Sequence, residues 1–167
     1  MSLAAESLRI AGIVRESIVD GPGLRFVIFA QGCPHRCKGC HNESTHDFEG
    51  GYLCTLEKII SEIDKNPLLT GVTFSGGEPF CQPREFSLLG SEIKARGLDL
   101  IAYSGYTLEQ LLEMKKENSF IDQLLHKIDS LVDGPFLLEE RDLTLAFRGS
   151  KNQRMIDMSE IWQQRFE

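Results

Sequence analysis

Residues 24–31 run without a break into three closely spaced cysteines, and this junction constrains the chain more than any other feature. The segment Leu-Arg-Phe-Val-Ile-Phe-Ala-Gln is rich in β-branched and aromatic side chains and reads as a strand. The turn Gly21-Pro22-Gly23 starts it. It delivers the chain into Gly32-Cys33-Pro34-His35-Arg36-Cys37-Lys38-Gly39-Cys40-His41-Asn42, with three residues between the first cysteine pair and two between the second.

The order strand, loop, helix then recurs. Residues 8–14 read as a first strand that Gly12 weakens. Residues 55–65 predict a helix with Ile59, Ile60 and Ile63 on one side, closed by Asn66-Pro67. A buried strand at 71–75 ends at Gly76-Gly77, and a helix at 84–96 ends at Gly97, a C-terminal cap. A strand at 98–104 is followed by Thr107-Leu108-Glu109-Gln110, the capping-box form that starts a helix to about residue 116. A short helix at 121–127 leads to a strand at 130–132, an acidic loop at 133–142, and strands at 143–147 and 154–158. Such alternation predicts an α/β fold with a parallel sheet. The unusual loops follow strands, where α/β folds gather their ligand sites. The chain is expected to be one domain over 1–167, with residues 1–7 poorly packed.

Composition excludes several classes. Eighteen basic against 25 acidic residues leave a net charge of −7, which disfavours a general nucleic-acid binder. Arg36 and Lys38 can form a local basic patch near an anionic cofactor or partner, or be solvated loop charges. No long apolar run is present, so no membrane span is expected. The N-terminus lacks a basic region followed by an apolar stretch, which argues against secretion and for the cytoplasm. There the five cysteines stay reduced.

Three thiolates this close can converge, and soft sulfur suits an iron–sulfur cluster. Cys33, Cys37 and Cys40 would leave one iron of a cubane without a protein ligand, which points to catalysis rather than electron storage. The alternatives are a zinc site completed by His41 or His46, a redox cysteine pair, and a ferredoxin, which would need a fourth cysteine. Cys54 and Cys81 lie at no regular cluster spacing and read as small apolar residues. In Ser75-Gly76-Gly77-Glu78-Pro79 the glycines let backbone turn sharply and approach a ligand.

The cysteine spacing resembles that of the radical S-adenosylmethionine enzymes. Val19-Asp20-Gly21-Pro22-Gly23 is similar to a segment of the glycyl-radical activating enzymes, and Gly76-Gly77-Glu78-Pro79 to an element of the superfamily. Tyr103-Ser104-Gly105-Tyr106-Thr107, Asp133-Gly134-Pro135-Phe136 and Arg148–Arg154 resemble segments of one subfamily, the anaerobic ribonucleoside-triphosphate reductase activating proteins. The resemblance runs from about residue 19 to 154. It implies a partial, open (β/α)6-type barrel. It also implies a [4Fe-4S] cluster on Cys33, Cys37 and Cys40, and S-adenosylmethionine as the second cofactor.

By that resemblance Gly39, Cys40 and His41 meet the adenine, and Gly76 and Gly77 the methionyl amino group. Glu78, Ser104 and Asp133 face the cofactor or support its loops, and Asp20 and Gly21 face a partner's glycine loop. Gly39 departs from the aromatic residue common before the third cysteine. The implied activity is reductive cleavage of S-adenosylmethionine to a 5′-deoxyadenosyl radical. That radical generates a glycyl radical on the reductase, with a low-potential donor such as flavodoxin. Alternatives are activation of another glycyl-radical enzyme, such as pyruvate formate-lyase, or a non-catalytic electron-transfer or zinc module.

Overall fold

Seven strands form one open mixed sheet in the order β3-β1-β2-β4-β5-β6-β7, in a computed structural model that describes residues 3–40 and 42–165. They are β1 (Ser7–Ser17), β2 (Arg25–Ala30), β3 (Tyr52–Thr55), β4 (Gly71–Gly76), β5 (Asp99–Tyr103), β6 (Ser130–Asp133) and β7 (Arg154–Asp157). The helices are α1 (Leu56–Asp64), α2 (Pro83–Ala95), α3 (Leu108–Met114), α4 (Ser119–Lys127) and α5 (Met158–Arg165).

The parallel part is β2-β4-β5-β6, in register from Arg25 opposite Gly71 to Tyr103 opposite Val132. β1 and β3 add antiparallel on one side and β7 on the other. Against the expected partial, open (β/α)6-type barrel, the structure has an open α/β sheet of seven strands. Four strands are parallel, and the sheet ends at β3 and β7 without closing.

Side chains alternate across the strands. One face, with Phe26, Ile28, Val72, Phe74, Leu100 and Ala102, packs with helix residues Ile59, Phe86, Leu89, Ile93 and Leu124 in the main core. Each large side chain buried here contributes about 1.5–3 kcal/mol of transfer free energy. The opposite face carries Arg25, Phe29, Thr73, Ser75 and Tyr103. There the fold leaves a cavity instead of a second helical layer.

Helix starts follow the sequence closely. Thr55 caps α1 by accepting from the Lys58 N–H, and Thr107 with Gln110 closes a full capping box on α3. Gly97 ends α2 at φ 72°. Gly12 did not end β1, which runs 11 residues and absorbs the glycine at a register shift. The strand expected at 143–147 does not form. Its Leu143 is 75% exposed and Phe147 sits at φ 61°, so the segment is an irregular strap closed by a bridge between Arg141 and Ser150.

Of the first seven residues, expected to pack poorly, Leu3 lies against the core and Glu6 accepts two hydrogen bonds from Arg84, at 2.6 and 2.7 Å. In the C-terminal tail Trp162 stacks on His126 at 3.9 Å, while Phe166 lies outside the described residues. Among the described residues no helix is long and apolar enough to cross a membrane.

Candidate metal centre

The chain leaves β2 through Gln31, whose buried amide donates to the carbonyls of Ser44 and Asp47 at 3.1 and 2.7 Å. Gly32 N–H bonds Thr45 O and Cys33 N–H bonds His46 O, so the returning segment is laced to the start of the cysteine loop. Gly32 takes φ 105°, and a Cβ there would meet the Phe48 ring at 2.5 Å. At the far end, Cys40 N–H bonds Cys37 O at 3.1 Å and Asn42 N–H points at the Cys40 sulfur at 3.4 Å.

Cys33, Cys37 and Cys40 line a cavity of about 540 Å³ at the carboxyl ends of the parallel strands. Burial raises the thiol pKa of Cys33 and of Cys40, and backbone N–H groups of the loop pull each partly back. Binding a metal there must release protons. All five cysteines are free, and Cys54 and Cys81 do not line this cavity. Among the described residues no three His, Cys, Asp or Glu side chains converge tightly enough for a single ion. Three cysteines around a roomy cavity form a soft donor set that fits an iron–sulfur cluster.

Ser75, Gly76 and Gly77 line the same cavity from the end of β4, Ser104 from the end of β5, and Asp20 from the segment before β2. The two glycines are demanded by backbone crowding. A Cβ on Gly76 would lie 2.6 Å from Ala30 N, and one on Gly77 would lie 2.4 Å from Gly32 O. Close approach of neighbouring backbone is by itself enough to demand glycine at both positions.

Other expected site residues stand elsewhere. Glu78 has no exposed surface and sits behind the wall, accepting from His35, Phe80, Ser104 and Gly105. Asp133, 1% exposed, accepts from Leu108 N–H at 2.8 Å and from Arg154 Nε at 3.0 Å, tying β6 to α3 and β7. Gly39 does not line the cavity, and a Cβ there would meet Leu138 at 2.9 Å and Phe136 at 3.5 Å. Gly21 packs on Ile101 and Arg25. His41 lies outside the described residues.

Sequence reasoning missed His35, Tyr103 and Phe147 as cavity residues. The Arg148–Arg154 segment folds into a knot. Gln153 accepts from Gly149 N–H at 2.9 Å and donates to Gly134 O at 3.1 Å, while Asn152 donates to Pro135 O at 2.7 Å. Its physical job is to fasten the turn after β6.

A model of the 4Fe-4S single cluster domain matches residues 19–156. The chain is 38% identical over 145 residues to the anaerobic ribonucleoside-triphosphate reductase-activating protein of Vibrio cholerae, covering 81% of this chain and 89% of that protein. It is 35% identical to the protein of that name in Salmonella typhi, over 81% of this chain and 90% of that one. It is also 35% identical to the one in Enterobacteria phage T4, over 82% and 86%. Among solved structures, QueE from Escherichia coli superposes with a TM-score of 0.47 at 17% identity, covering 60% of this chain and 53% of that one. That likeness is too slight to bear on function.

Proposed function

The chain belongs to the family of the anaerobic ribonucleoside-triphosphate reductase-activating proteins, with its 4Fe-4S single cluster domain, and on that premise we propose that it is a radical S-adenosylmethionine activase of that reductase. The observation that carries the reading is one cavity shared by three cysteine sulfurs and the Gly76-Gly77 backbone. A cofactor held by the sulfurs and a ligand held by that backbone would then meet in one space.

Cys33, Cys37 and Cys40 hold the cluster. Gly76 and Gly77 offer backbone groups to the amino and carboxylate ends of S-adenosylmethionine, with Gly39, Cys40 and His41 on the adenine side. When bound, the cluster supplies the electron that breaks a carbon–sulfur bond of S-adenosylmethionine, giving methionine and a 5′-deoxyadenosyl radical that takes a hydrogen atom from a glycine Cα of the reductase. The protein positions and shields these groups.

Ser104 reaches the cavity, but its hydroxyl donates to Glu78 and accepts from Tyr106 N–H at 3.0 Å, so its role is to shape the wall. Asp133 and Glu78 support loops. Asp20 and Gly21 border the approach for the partner's glycine loop, and Thr73 fixes them by donating to Asp20 O at 2.8 Å. The open sheet, read as a partial barrel in a single domain, leaves that approach free. A low-potential donor such as flavodoxin supplies the electron, and the protein works in the cytoplasm.

The test is 5′-deoxyadenosine formation by protein reconstituted anaerobically with iron and sulfide, reduced, and given S-adenosylmethionine with and without the reductase. Product that disappears in Cys37→Ala is the expected result. A full, reducible cluster that yields no product in either case would sink the reading and favour an electron-transfer module.

A further inference from the structure

The cysteine loop has an inner and an outer side. Pro34, Arg36 and Lys38 are exposed, whereas Cys33 is buried and His35 and Cys37 are half-buried. His35 turns inward: its Nε2 lies 2.7 Å from Glu78, and its ring fills space that a Cβ on Gly105 would enter at 2.3 Å. The two cations that flank Cys37 in sequence are left outside. Among the described residues neither Arg36 nor Lys38 pairs with a carboxylate, whereas Arg15, Arg25, Arg84, Arg96 and Arg154 each do.

A second cavity of about 440 Å³ adjoins this loop. Cys37 lines both it and the central cavity. Lys38 borders it from the loop, and Pro135, Phe136 and Leu138 border it from the segment after β6. Leu138 is 39% exposed. Gly39 lets this apolar segment lie directly against the loop, since a Cβ there would meet Leu138 at 2.9 Å and Phe136 at 3.5 Å. Glu139 is the one acid among the lining residues. Gly76, Gly77 and Asp20 line only the central cavity. The groove therefore reaches Cys37 without passing the space assigned above to S-adenosylmethionine and the partner's glycine.

We propose that this groove docks a low-potential one-electron carrier protein with an acidic surface, and that electrons reach the cluster from the Cys37 side. The carrier is oxidised by one electron and the cluster reduced by one; no bond forms or breaks. Charge selects the occupant. The chain carries a net charge of −7, so an acidic protein is repelled over most of it and attracted where Arg36 and Lys38 stand unpaired. Charges beyond about 10 Å are largely screened at ordinary salt, so at contact the local pair outweighs the distant excess. A small apolar floor with a charged rim suits a transient redox encounter, a class that buries less than about 1,200 Å², better than a permanent subunit.

This inference rests on the reading above, in which Cys37 holds the cluster, and the experiment separates the two. Flavodoxin is the probe. Its binding to reconstituted protein would be followed by fluorescence anisotropy at low and at physiological salt. The proteins compared are the parent, the double variant Arg36→Glu with Lys38→Glu, and Glu139→Lys. The double variant should bind on the order of tenfold more weakly at low salt, the gap should narrow as salt rises, and Glu139→Lys should bind more tightly than the parent. Cluster reduction by flavodoxin should follow the same order, while a neutral small reductant reduces all three proteins at similar rates. The groove consists of protein groups alone, so cluster-free parent and variants give the same comparison of binding if a variant loads iron poorly. Parent-strength binding by the double variant, weaker binding by Glu139→Lys, or no salt-dependent complex with the parent overturns the proposal. A parent whose cluster accepts electrons from the small reductant yet forms no 5′-deoxyadenosine would instead remove its premise.

Discussion

Tyr103 donates its hydroxyl hydrogen to the backbone carbonyl of Phe147 at 2.8 Å, fastening the irregular 141–150 strap to the carboxyl end of β5. Phe147 is in the left-handed region, and burial raises the Tyr103 pKa, so this bond joins a strained residue to a phenol that keeps its proton. Tyr103→Phe should cost about 0.5–1.5 kcal/mol. Limited proteolysis should then cut within 141–150 first, while the midpoint of global unfolding moves little. Unaltered strap cleavage would mean that the knot at 148–154 holds the segment by itself.

Arg25 is 1% exposed and lies beneath the 17–24 segment. Its guanidinium donates to Thr73 Oγ1 at 2.8 Å, Pro22 O at 3.0 Å and Val72 O at 2.8 Å, and pairs with Asp99 at 2.9 Å. Asp99 is 43% exposed, so water can replace the arginine there, but the buried oxygens lose their donors. Arg25→Met should destabilise by about 2–4 kcal/mol, read as a lower urea midpoint at similar slope.

Gly76 and Gly12 make an internal contrast. Gly76 combines φ 89° with backbone atoms 2.6 Å from where a Cβ would sit, whereas Gly12 has nothing within 4 Å of that point. Gly76→Ala should lose at least ~2 kcal/mol and most bound iron. Gly12→Ala should stay within about 1 kcal/mol of the parent. Equal effects would refute the crowding argument.

The cysteines divide by position. Cys54 lies on the edge strand β3 and Cys81 follows Phe80 in a short 3-10 turn, neither lining the central cavity. Iron and sulfide per chain after reconstitution should match the parent in Cys54→Ser and Cys81→Ser, and collapse in Cys33→Ser, Cys37→Ser or Cys40→Ser.

Acid should loosen the surface before the core. Hydrogen bonds from Arg84, Arg96 and Arg154 lower the pKa of Glu6, Asp64 and Glu109 below their ordinary values of 4.5, 3.8 and 4.5. A carboxylate whose folded pKa is depressed contributes stability fully above its unfolded value and loses it as pH falls through the folded one. Cluster-free protein should therefore hold its stability above about pH 4.5 and lose it steadily below. Arg84→Ala should flatten part of that acid limb in urea titrations. A parallel acid limb would show that Glu6 keeps its low pKa without the arginine.

Much of the fold was legible because local chemistry and tertiary context agree. The capping box at Thr107, the cap at Gly97 and the apolar stripe of Ile59, Ile60 and Ile63 each do in the structure what they imply locally. β3 was hidden because it is four residues long, two of them exposed, directly before a helix cap. α5 was hidden because its face is only weakly apolar and its place depends on Trp162 meeting His126. The strap at 143–147 reads as a strand because Leu, Phe and Thr favour one, yet its apolar side chains turn to the cavity mouth. At the site, spacing located the cysteines. It could not reveal that Glu78 points away from the cavity, since only long-range pairing brings His35 and Ser104 to it.

The empty volume that Gly105 leaves for the His35 ring has an evolutionary consequence. Replacing His35 would take one of four donors from the buried Glu78 carboxylate, leaving Ser104, Gly105 and Phe80, and would open a void beside Gly105 in the same step. Positions 35, 78 and 105 should therefore drift as a set, with side chains reappearing at 105 only where the imidazole has gone.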